Sequence, residues 1–105
     1  MLLPAVTAFS APSSMLRYGD CAKAMGCAEH TDTSELAVEK LLEALEQLNS
    51  DLRVPSPKDY GIGDNKYFSL LEAMADQALS SGSPANNPRV PSNEEMVAIY
   101  EAIYK

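Results

Sequence analysis

Apolar residues recur along this chain at intervals of three and four, the spacing of one face of an α-helix, and never in the strict alternation of a strand. The clearest run follows Asp32. Val38, Leu41, Leu42, Leu45, Leu48 and Leu52 fall within one narrow helical arc, and Glu35, Glu39, Glu43 and Glu46 form an acidic ridge beside it. Like charges four residues apart cost roughly a few tenths of a kcal/mol each, so this helix must owe its stability to burial of its leucines. Asp32, three residues before Glu35, is expected to cap its start.

Four more helices follow from the same period. A short one runs from about Leu2 to Phe9, with Pro4 tolerated in its first turn and Pro12 separating it from the next. The second runs from about Ser13 to Met25, with Met15, Tyr18, Ala22 and Met25 as its apolar stripe. It stops at Gly26, the residue type that best accepts a left-handed turn. The stretch from Arg53 to Gly63 holds two prolines and two glycines and reads as a loop. The fourth helix runs from Asp64 or Asn65 to about Leu79 with a wide apolar arc that includes Tyr67, Leu71, Met74 and Ala75. A loop from Ser80 to Pro91 follows. Ser92 and Glu95 then form a capping box that starts a fifth helix, whose stripe is Met96, Ile99, Tyr100 and Ile103. The expectation is an all-α, compact array of about five helices forming one domain over residues 1–105.

A domain of 105 residues has a thin core, so any uncovered apolar face matters. Fifteen acidic residues against eight scattered basic ones give a net charge of −7, which argues against nucleic acid and against an anionic membrane surface. No apolar run approaches the ~20 residues of a membrane-spanning helix. The segment from Met1 to Ala11 has no basic residue ahead of its apolar run, and bulky Phe9 precedes Ser10-Ala11, so it is not read as a signal peptide. Cys21 and Cys27, six apart in a predicted helix, point to different sides and cannot be bridged; free thiols fit a reducing, cytoplasmic setting.

Chemistry is sparse. Cys21, Cys27 and His30 are too few and too poorly convergent for a tetrahedral metal site, so no metal ligand is assigned. The one histidine has no neighbour that marks it as a base, so no catalytic residue is assigned either. Gly61-Ile-Gly63 is too short for a dinucleotide fingerprint, which also needs a strand ahead of it. Asn86, Asn87 and Arg89 sit between prolines just before the last helix. Arg89 there either binds a carboxylate or phosphate or, the preferred reading, ties a rigid connector to the helix.

At this loop the chain resembles the ending of iron-containing (group III) alcohol dehydrogenases. The similarity is carried by Ala75 to Arg89 with its Asn-Asn-Pro-Arg close, by Pro91 to Met96, and by Ile-Tyr-Glu-Ala-Ile-Tyr from Ile99 to Tyr104. It extends backwards through Leu48 to Pro55, through Ala22-Lys-Ala-Met-Gly26 and Arg17-Tyr18, to Leu2-Leu-Pro-Ala-Val6, in the family's order and over nearly the whole chain.

The resemblance implies the C-terminal helical part of an oxidoreductase that interconverts alcohols and aldehydes with NAD(P) and a divalent metal, iron or zinc. The family's metal ligands and phosphate-binding glycines lie upstream of the segment that Leu2-Leu-Pro4 matches, so none is expected here, nor any cofactor-binding residue. Many relatives carry His where this chain has Ala5. Some place a Cys near the nicotinamide at about Ser80, which makes Ser80 and Ser81 weak pocket-wall candidates. The chain is expected to be inactive alone and to associate, either as a homo-oligomer or with the missing N-terminal half. The alternative is a free-standing helical interaction or oligomerisation module.

Overall fold

The computed structural model describes residues 1–105 and contains six α-helices, two short 3-10 segments and no strand. The helices are α1 (Leu3–Ser10), α2 (Met15–Ala24), α3 (Ser34–Asp51), α4 (Asp64–Ser69), α5 (Leu71–Ser80) and α6 (Asn93–Ile103). The 3-10 segments, Ala11–Ser13 and Ser83–Asn86, lie between α1 and α2 and between α5 and α6. The all-α expectation holds. No helix is long and apolar enough to cross a membrane.

The core begins where α2 crosses α3. Ala22, Ala37, Leu41 and Leu45 form its buried cluster, with Tyr18 and Ala28 packed against it. Small residues make the crossing close: the space where a Cβ on Gly19 would sit is 3.2 Å from Ser34 Cα. The expected stripe of α2 is therefore only partly right. Gly19 and Ala22 are its buried positions, while Met25 is exposed. Gly26 does take the left-handed conformation, with φ +77°. Cys27 lies beyond the end of α2, and both cysteines are free thiols.

Two further expectations need correction. The cap of α3 is Thr33, whose Oγ1 accepts the Leu36 N–H at 3.3 Å. Asp32 instead accepts the Glu29 N–H at 2.9 Å and an ion-paired hydrogen bond from Lys40 Nζ at 2.6 Å. Two acceptors one residue apart competed for the cap, and the lysine two turns along claimed the aspartate.

The predicted fourth helix is two helices, divided at Leu70 (φ −104°, ψ −4°). Tyr67 explains the break. Its hydroxyl donates to the Tyr100 carbonyl at 2.8 Å, and its ring stacks on Tyr104 with centroids 4.7 Å apart. Those contacts hold α4 at the C-terminal end of α6, while Leu71 and Ala75 are the buried positions of α5, which packs along α6. One straight helix cannot satisfy both. Burial raises the Tyr67 phenol above its ordinary range, with Tyr100 and Tyr104 adding to it, and burial, with Asp64 nearby, raises Tyr104. The Tyr104 hydroxyl donates to the Ile62 carbonyl at 2.9 Å, and Ser56 Oγ donates to the Lys105 carbonyl at 2.9 Å, so the loop after α3 is stitched to the chain's last residues.

Candidate pocket wall

The loop between α5 and α6 is held from three directions. Gly82, at φ +78°, turns the chain into the second 3-10 segment, a conformation that a side chain would strain. Asn87 Nδ2 then donates to Ser10 Oγ and to the Arg89 carbonyl, both at 2.6 Å. Arg89 pairs with Glu95 and lays its guanidinium over the Phe9 ring, 4.0 Å from the centroid. Glu95 also completes the capping box of α6. Its Oε2 accepts the Ser92 N–H at 2.9 Å, and its own N–H donates to Ser92 Oγ at 3.1 Å. The connector reading of Arg89 is the one the geometry favours, since its charge is spent on α6 and α1.

Between this loop, α1 and α6 lies an open groove of about 380 Å3. Val6 and Phe9 of α1, Met96 and Ile99 of α6, and Ser83 and Asn86 of the loop are among its eleven lining residues. Ser81 is also on the wall, but it is exposed and its hydroxyl donates to the Ala78 carbonyl at 2.6 Å. Ser80 is exposed and does not line the groove. Sequence reasoning missed Phe9, Ser83 and Asn86 as lining residues. The three-residue step from Val6 to Phe9, one face of a helix, was the available signal for the first; nothing local marks the other two.

None of the lining residues carries an acid, a base or a thiol. The groove can hold an apolar group, exclude water around it and offer hydroxyl and amide hydrogen bonds. It has no means of moving a proton between groups of suitable pKa.

The residues present do not fit a metal ion. No three His, Cys, Asp or Glu side chains converge, His30 is exposed, and the two thiols are separated by the end of α2. No strand leads into a glycine-rich turn at a helix start, the arrangement that binds a dinucleotide phosphate in a βαβ unit. Ala5 is half-buried on α1 and lies along a second groove near the end of α3.

The family model described as the Fe-containing alcohol dehydrogenase family, C-terminal, matches residues 1–104. An NADPH-dependent butanol dehydrogenase of Clostridium saccharobutylicum is 29% identical over 103 residues, which are 97% of this chain and 26% of that protein. A 1,3-propanediol dehydrogenase of Klebsiella pneumoniae is 29% identical over 106 residues, covering 99% of this chain and 26% of that protein. A bifunctional aldehyde-alcohol dehydrogenase of Escherichia coli is 29% identical over 97 residues, 89% of this chain and 11% of that protein. The chain thus spans about a quarter or less of the length of these relatives.

Proposed function

We propose, on the premise that this chain belongs to the Fe-containing alcohol dehydrogenase family by its C-terminal part, that it forms one helical wall of an oxidoreductase that interconverts an alcohol and its aldehyde with NAD(P). The groove between α1 and α6 carries this reading. It is apolar, suited to the carbon skeleton of a small alcohol, and free of groups that would compete for the reacting proton. In the intact enzyme the nicotinamide would take or give the hydride, and iron or zinc would polarise the oxygen. Neither step is assigned to a residue of this chain.

What these residues contribute is shape and rigidity. The Asn87–Ser10 hydrogen bond and the Arg89 bridge from Phe9 to Glu95 fix the loop against both helices. A wall held in this way keeps a small substrate oriented without paying to order a loop at each turnover. We infer a cytoplasmic setting from the two free thiols.

The test is a turnover assay on the purified 105-residue protein, with NADH or NADPH, small aldehydes, and ferrous or zinc ions. No activity above the blank containing metal and cofactor is expected. Measurable turnover would overturn the assignment of all chemistry to residues elsewhere.

A further inference from the structure

The groove between α1, α6 and the loop before α6 divides its lining by chemistry. The helices supply Val6, Phe9, Ala78, Met96 and Ile99, whereas the loop, its prolines apart, supplies hydroxyls and amides. Two of those polar groups are already engaged. The Ser81 hydroxyl donates to the Ala78 carbonyl, and Asn87 spends its amide hydrogens on Ser10 and on the Arg89 carbonyl. The Ser83 hydroxyl makes no hydrogen bond within the protein, and Asn86 reaches only the Gly82 carbonyl, at 3.5 Å. Those two remain for a ligand.

Charge narrows the ligand class. No lining residue is ionised, and Arg89, stacked on Phe9, is committed to Glu95. A carboxylate or phosphate placed here would give up its hydration with no cation in return.

Size narrows it further. A groove of about 380 Å3 holds roughly a dozen water-sized units, and a methylene takes up about as much room as a water. An alcohol of three or four carbons leaves more than half of that space wet. An unbranched chain of about eight carbons, with its oxygen among the loop groups, fills most of it.

We propose that this groove binds an uncharged, medium-chain primary alcohol, or its aldehyde, of about eight carbons. The chain lies against Val6, Phe9, Ala78 and Ile99, and the oxygen points toward Ser83 and Asn86. The proposal rests on the groove being the substrate wall of an alcohol oxidoreductase and specifies the length of that substrate. Binding needs neither cofactor nor metal, so it is read separately from turnover, and failure of one does not decide the other.

Titration of the 15N-labelled full chain with primary alcohols, followed by amide chemical shifts, tests it. From butan-1-ol to octan-1-ol the affinity should rise about two- to fourfold per carbon, since full burial of a methylene is worth about fourfold and an open groove buries part of it. Beyond octan-1-ol it should level off, because the chain has run out of wall. Shifts should centre on Val6, Phe9, Ala78, Met96 and Ile99. They should spare Leu16, Leu48 and Leu52, which are 68%, 47% and 67% exposed outside the groove. Sodium octanoate should bind at least about tenfold more weakly than octan-1-ol. Ser83→Val, at an exposed position, should weaken every alcohol about three- to tenfold and leave the gain per carbon unchanged. Ala78→Phe, which fills the groove, should lose octan-1-ol binding while keeping a helical circular dichroism spectrum. No saturable binding of octan-1-ol would overturn the proposal. So would affinity that climbs without levelling, shifts spread over the exposed leucines, octanoate bound as tightly as octan-1-ol, or a folded Ala78→Phe that binds like the native chain.

Discussion

The amide of Asn87 reaches across 77 positions of sequence to the hydroxyl of Ser10, which has no exposed surface, and closes the hydrogen bond at 2.6 Å. That single contact joins the end of the first helix to the loop before the last one. The second donor of the same amide holds the Arg89 carbonyl, so one side chain sets both the position of the loop and its local turn.

Asn87→Ala removes both bonds and leaves the Ser10 hydroxyl buried without its donor. The expected cost is about 1–3 kcal/mol, because the penalty is that of an unsatisfied buried group rather than of a surface contact. Asn86→Ala is the control. Its side chain is exposed and reaches the Gly82 carbonyl only at 3.5 Å, so its effect should stay within about 0.5 kcal/mol. Urea unfolding followed by circular dichroism distinguishes the two.

Gly19→Ala sets two effects against each other. Alanine in a helix gains up to about 1 kcal/mol over glycine. The added methyl, however, would lie 3.2 Å from Ser34 Cα, and backbone cannot swing aside as a flexible side chain can. Separating α2 from α3 loosens the packing of Ala22 against Ala37 and Leu41, and overpacking of this kind costs about 1–3 kcal/mol. The expected sum is a net loss of roughly 1 kcal/mol, read as a lower urea midpoint.

The Asp32–Lys40 pair makes stability depend on pH at both extremes. The Lys40 hydrogen bond, then the Glu29 N–H, holds the Asp32 carboxyl below its ordinary range. Its contribution is present above the unfolded-state pKa and lost as pH falls through the lowered folded value. The Lys40 ammonium is raised, first by the hydrogen bond to Asp32. Its contribution is present below the unfolded lysine value and lost as pH rises through the raised folded one. Thermal midpoints measured against pH should therefore fall on the acid side in the native chain. In Asp32→Asn that fall should shrink to what other carboxylates leave. Glu94 is one of these, lowered first by a backbone N–H and then by Ser92 at the start of α6. An acid limb unchanged by Asp32→Asn would show that the pair contributes nothing measurable.

Features written within a few neighbouring residues were legible from the sequence. Ser92 and Glu95 cap α6 reciprocally as their spacing demands, Gly26 ends its turn with positive φ, and the three-four period produces helices and no strand. The role of Arg89 as a tie was also readable, though not its second partner, Phe9, eighty positions away. Periodicity was silent wherever two distant segments competed for one element. It runs unbroken through Leu70, yet Tyr67 is drawn to Tyr100 and Tyr104 while Leu71 is a buried position of α5, and the helix divides. It gives Leu48 and Leu52 the same standing as Leu41 and Leu45, because a stripe records which face is apolar and carries no record of how far a neighbour extends. Local hydrogen bonding and helical period are short-range and so are spelled out along the chain. Burial, helix breaks and the walls of a groove depend on which segments meet, and only the packed structure decides that.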